Sequence, residues 1–159
     1  MPSSGGGWAL NPTGLLELLF HIDRIRPKVV LELGSGASSI WIAYALEKFG
    51  GRLVTLDHEV KYADQTRFLI SMHELDKVAQ VRLAPLRSMS IGGEEFDWYD
   101  PAVVEDVNGI DLLLVDGPPG KTGPGARYPA LPMLEPKLAA NATVILDDVD
   151  RSEDRKSVV

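Results

Sequence analysis

The residues best suited to chemistry stand where apolar runs stop. LELGSGASS at 31–39 turns on Gly34 and Gly36, RLVTLD at 52–57 ends on Asp57, and IDLLLV at 110–115 runs into Asp116. A fourth run, TVIL at 143–146, meets Asp147 and Asp148. Glycines on either side of Ser35 permit backbone angles and a close ligand approach that side chains would forbid. Such a turn suits a small polar or anionic ligand. Asp57 lies 21 residues beyond Gly36, a spacing at which a strand-end carboxylate accepts hydrogen bonds from ribose hydroxyls. The two features together read as a nucleoside site, with His58 as a weaker neighbour. Ser39 stands where a dinucleotide fingerprint has its third glycine, which disfavours a nicotinamide oxidoreductase. No Gly-Lys-Ser/Thr follows the turn, so it is not a P-loop.

Asp116, Asp147 and Asp148 form the second group. Carboxylates gathered in one cleft repel each other unless a cation or protons intervene. Their hard oxygens suit Mg²⁺; alternatively Asp147 or Asp148 caps a following helix. Gly117-Pro118-Pro119 stiffens the turn after Asp116. Beyond it, Lys121 and Arg127 flank the glycine-rich KTGPGAR. That segment reads as a mobile loop over the cleft, where either cation can touch an anionic substrate and Lys121 can act as a base if its pKa is lowered. The pair Trp98-Tyr99 reads either as a pocket wall or as core.

These residues need elements to hold them. Leu15, Leu18, Leu19, Ile22 and Ile25 recur at helical spacing over 13–25, and Pro27 ends that helix. Val29–Leu33 reads as a buried strand. Ser38 or Ser39 caps a helix starting near Ile40 and stopped by Gly50-Gly51. Strands follow at 52–57, 78–83, 110–115 and 143–146, with helices over 60–75 and 130–139. Residues 87–109 show no single period and read as loop with a short helix near 101–107. Alternating strands and helices predict a doubly wound, mostly parallel sheet with right-handed crossovers. In such a sheet ligands sit at the carboxyl ends of the strands, where the glycines and acids lie.

The chain has 159 residues, 45% of them apolar, enough for one domain with a core. Its opening MPSSGGGW is rich in Ser and Gly, so residues 1–9 are expected to be a flexible segment and 10–159 a single domain. The net charge of −7 disfavours a nucleic-acid partner. Cysteine is absent, which removes disulfides and thiolate chemistry. No apolar stretch has the length of a membrane span. The expectation is a soluble cytoplasmic protein acting on a small molecule, without nucleic-acid or membrane partners.

Taken together, LELGSGASS, RLVTLD, DLLLVDGPPG and VILDDVD resemble the class I, Rossmann-like S-adenosylmethionine-dependent methyltransferases over about residues 10–155. Within them the likeness is closest to the metal-dependent small-molecule O-methyltransferases of the catechol, caffeoyl and macrolide-sugar types. RYPALPMLEPKL also resembles the helix those enzymes place between their fourth and fifth strands.

The resemblance implies a strand order of 3-2-1-4-5 and S-adenosylmethionine as cofactor. Gly34, Ser35, Gly36 and Ser38 or Ser39 would line its methionine end. Glu32 would anchor the turn or meet the cofactor's amino group. Asp57, with His58 beside it, would hold the ribose, and Leu86-Arg87 would border the adenine. Asp116, Asp147 and Asp148 would hold Mg²⁺, and Asp116 would take part in catalysis. Pro119 stands where the catechol-like enzymes carry a lysine, so Lys121 is the nearest candidate base. The chain ends at RSEDRKSVV, and the expected sheet lacks the family's last two strands. An exposed fifth strand would favour self-association. The runner-up reading is a shortened, non-catalytic cofactor-binding or assembly module of the same fold.

Overall fold

The computed structural model describes residues 11–123 and 125–146. The expected flexible segment 1–9 and the acids Asp147 and Asp148 lie outside them. Helix α1 (Pro12–Ile25) opens with the Asn11 carboxamide accepting the Gly14 N–H at 2.7 Å and Pro12 in its first turn, where a missing N–H costs nothing. It turns Leu18 and Ile22 inward. Then come β1 (Val29–Leu33), α2 (Ala37–Glu47), β2 (Arg52–Asp57), α3 (Val60–Met72) and β3 (Ala79–Leu83). A hairpin of β4 (Leu86–Ile91) and β5 (Glu94–Tyr99) precedes β6 (Ile110–Val115), α4 (Ala130–Leu134) and β7 (Leu138–Leu146).

Five strands form one parallel sheet in the order β3-β2-β1-β6-β7. With the hairpin set aside, this is the expected 3-2-1-4-5. Each inner strand is buried on both faces, which is why β1 and β6 read as unbroken apolar runs. Val30, Leu112 and Leu114 pack under α1–α3 with Ile22, Ile42 and Leu46. Leu31, Leu33, Leu113 and Val115 face the other way, onto Trp98, Tyr99, Ala130 and Leu134. The polar exception in β6, Asp111, accepts the Lys28 and Val29 N–H groups at 2.9 and 3.0 Å and so satisfies the start of β1.

Two elements differ from the sequence reading. Residues 86–99 are a paired hairpin rather than loop, turning on Gly92 (φ 60°) and Gly93 (φ 84°). Two successive positive φ angles are what a two-residue hairpin turn needs, so that Gly-Gly pair was a legible signal. The helix near 101–107 is only a 3₁₀ turn at Pro101–Val104. The helix expected over 130–139 stops at Leu134, passes through a 3₁₀ turn at Glu135–Lys137, and gives way to β7 at Leu138. Pro136 has no N–H to continue a helix, and Leu138 pairs with Ile110 instead.

Candidate functional site

The chain crosses itself at the carboxyl ends of β1 and β6. These two central strands connect in opposite directions across the sheet, so a crevice opens between them. Gly34 (φ 98°) donates its N–H to Leu56 O, and Asp116 donates its own to Leu33 O, both at 2.9 Å. A Cβ on Gly34 would lie 2.9 Å from the Asp116 carbonyl oxygen. A Cβ on Gly117 would collide with the Tyr99 hydroxyl and come within 3.2 Å of Gly34 Cα. Gly36 is different. Its backbone is extended (φ 167°), and a Cβ there would meet nothing within 4 Å. Neither conformation nor packing demands a glycine at 36, and its bare backbone faces open space.

Glu32 sits beneath this turn, fully buried. It accepts hydrogen bonds from Ser38 Oγ at 2.9 Å, Thr55 Oγ1 at 2.7 Å, and the Ser39 hydroxyl. One carboxylate thus ties the end of β1 to β2 and to the first turn of α2. Burial pushes its pKa up; the three hydroxyl donors oppose that shift, and nearby Asp57 adds to it. The serine expectation needs correcting. Helix α2 starts at Ala37 with Gly36 at the capping position, so Ser38 and Ser39 are its first-turn residues. Both are buried with their hydroxyls on Glu32, and Ser39 Oγ also accepts the Gly36 N–H at 3.2 Å. Their hydroxyls brace the turn from behind.

At the end of β2, Asp57 Oδ2 accepts from Ser35 Oγ at 2.6 Å, and Oδ1 accepts the Glu59 N–H at 3.0 Å. Thr66 Oγ1 on α3 donates to Ser35 Oγ at 3.1 Å. Asp57 and the glycine turn are therefore joined by one hydroxyl. His58 is half-buried, its ring edge-on to Tyr99 with centroids 6.4 Å apart. Leu86, at the first position of β4, packs against the core below the crevice.

Trp98 and Tyr99 are core residues, both 1% exposed. The Tyr99 hydroxyl has no hydrogen-bond partner among the described residues, and burial pushes its pKa well above the usual phenol range. It fills the room that Gly117 leaves. Gly117→Ala is accordingly expected to destabilise the fold by roughly 2–4 kcal/mol through overpacking. Adding Tyr99→Phe should recover about 1 kcal/mol of that loss, a coupling readable in a urea-denaturation double-mutant cycle. Additive losses would show that the two groups do not compete for space.

Asp116 ends β6 with its side chain 8% exposed. Arg127, placed by its glycine-rich setting on a mobile loop, is instead buried at 2%. Its guanidinium donates to Asp116 O at 3.2 Å and to Pro118 O at 3.4 Å, and its Nη2 lies 3.8 Å from Asp116 Oδ1. Lys121 lies exposed in the 3₁₀ turn Gly120–Thr122.

A parallel sheet in this order, with a glycine turn after β1 and an acid closing β2, defines a Rossmann-like α/β domain. The sequence matches the family described as "Methyltransferase domain" over residues 31–149, and the chain belongs to that family. Among solved structures it is similar to the O-methyltransferase from Bacillus cereus in complex with SAH, at 22% identity and TM-score 0.71 over 92% of this chain and 60% of that one. The SAH-bound Podospora anserina methyltransferase PaMTH1 is 17% identical with TM-score 0.70, covering 89% and 55%. TomG from Streptomyces achromogenes, in complex with SAM, is 18% identical with TM-score 0.67, covering 89% and 58%. The chain therefore spans little more than half the length of these three proteins. Likeness at this level of identity is a likeness of fold. No match is found among curated proteins. Among the described residues no helix is long and apolar enough to cross a membrane.

The Mg²⁺ implied by the sequence resemblance would be held by Asp116, Asp147 and Asp148, of which Asp116 alone lies among the described residues. No group of three or more His, Asp or Glu side chains among them is arranged to hold a metal ion. Asp116 is the one expected ligand in view, and a buried guanidinium already stands beside its carboxylate.

Proposed function

We propose that the chain transfers a methyl group from S-adenosylmethionine to a hydroxyl group of a small molecule. The observation that carries this reading is the open space over Gly36, one residue from the Ser35–Asp57 hydrogen bond. A nucleoside cofactor would run its chain along the bare backbone, and Asp57, whose oxygens accept from Ser35 and Glu59, would take up ribose hydroxyls with its remaining lone pairs. The cofactor brings the activated methyl group on its sulfonium. What remains for the protein is to hold both partners in line and keep the acceptor oxygen close. The Gly34–Gly117 crossing and the Glu32 anchor give the turn that rigidity. A hydroxyl acceptor is supported by the O-methyltransferase descriptions of structural neighbours, and a small-molecule acceptor by the acidic charge.

Calorimetric titration with SAH, the demethylated cofactor product, tests the reading. The chain should bind it, and Asp57→Asn should weaken binding about tenfold or more through loss of a charged acceptor. Failure of the unsubstituted chain to bind SAH would overturn it. Binding without methylation of any hydroxyl acceptor would favour the non-catalytic module instead.

A further inference from the structure

We propose that Arg127 is the built-in counter-ion of Asp116, supplying the fixed positive charge at the end of β6 that the resemblance assigns to Mg²⁺. The inference rests on the methyltransferase reading only for what the site is for. The geometry stands by itself. A guanidinium is always protonated, and a buried one must be paired or strongly hydrogen-bonded. Arg127 meets that demand on the strand end itself, with both Asp116 O and Pro118 O accepting from it and the Asp116 carboxylate alongside. Its flanks hold it in place. Ala126 and Ala130 are buried, and Tyr128 stacks on Phe96 with centroids 5.3 Å apart. At 2% exposure the group does not reach out to an acceptor molecule. Arg127 is thus a positioning residue, setting Asp116 and the turn after it.

The test is Mn²⁺ uptake by the full chain, read from the electron paramagnetic resonance of the free ion. Unsubstituted protein and Asp116→Asn should give superimposable curves up to about 1 mM Mn²⁺. SAH affinity should agree within about twofold in Mg²⁺ and in EDTA. Mn²⁺ binding that Asp116→Asn weakens about tenfold or more would overturn the proposal. Arg127→Met supplies the second arm. In a urea-denaturation double-mutant cycle, Arg127→Met should cost clearly less in the Asp116→Asn background than in the unsubstituted protein, a coupling that lost packing alone does not produce. Additive losses with a folded Arg127→Met variant would count against the counter-ion role. If that variant does not fold, the comparison of unsubstituted protein with Asp116→Asn still decides. Because Mn²⁺ uptake is read without cofactor, failure of SAH binding would sink the methyltransferase reading and leave this result standing.

Discussion

Gly34→Ala is expected to cost the fold roughly 2–5 kcal/mol, whereas Gly36→Ala costs less than about 1 kcal/mol and instead impairs ligand binding. The two glycines lie two residues apart in one turn, yet they answer to different demands. At Gly34 the backbone sits at φ 98°, where an L side chain is strained, and the added methyl would press on the Asp116 carbonyl at 2.9 Å. That carbonyl is backbone, so it yields only if β1 and β6 separate. At Gly36 the extended backbone accepts any residue and the new methyl meets no protein atom. The same methyl would occupy the space assigned to the cofactor, and SAH affinity should fall about tenfold or more. Urea denaturation paired with SAH titration on both variants separates the effects. An unfolded Gly36→Ala, or a Gly34→Ala as stable as the starting protein, would contradict the division.

Loss of the Glu32 carboxylate should be comparably severe. In Glu32→Ala the hydroxyls of Ser38, Ser39 and Thr55 lose their shared buried acceptor. At about 1–3 kcal/mol per stranded group, with some relief from rearrangement, the expected cost is roughly 3–5 kcal/mol. A domain with a typical reserve of about 5–15 kcal/mol would be left marginal. Glu32→Gln keeps the shape and removes the titration, which exposes a pH dependence of known sign. Burial raises the carboxyl's pKa above its ordinary 4.5 in the folded state. The folded protein therefore binds this proton more tightly than the unfolded chain does. Stability from that difference is fully present below about pH 4.5 and is lost as pH rises through the raised folded pKa. The advantage of the unsubstituted protein over Glu32→Gln should shrink on going from about pH 4 towards neutrality. Urea denaturation across that range checks it, and an advantage that grows with pH would contradict the assigned shift.

The glycine positions also show where sequence reasoning stops. Turn, acid and strands were legible because they depend on short-range pattern, while the strand order came from the family resemblance. Apolar runs mark strands buried on both faces, a glycine-bearing turn marks close backbone approach, and an acid after the second strand marks the nucleoside side of the crevice. Which glycine is held by packing and which faces open space was not legible. That depends on Asp116 and Tyr99, 82 and 65 residues further along the chain than Gly34. Ser38 and Ser39 were read as capping residues for the same reason: their types were known, but the acceptor that claims them was not.

By itself, the sequence determined a mostly parallel α/β sheet with a glycine turn after its first strand and an acid closing its second. Local periodicity and turn chemistry depend on neighbours along the chain. Only the tertiary structure decided that Glu32 collects three hydroxyls, that residues 86–99 pair as a hairpin, and that Arg127 lies buried on Asp116. A buried charge or hydroxyl has to find its counterpart wherever folding brings one within reach. That partner is chosen by packing between distant segments, and no spacing along the chain encodes it.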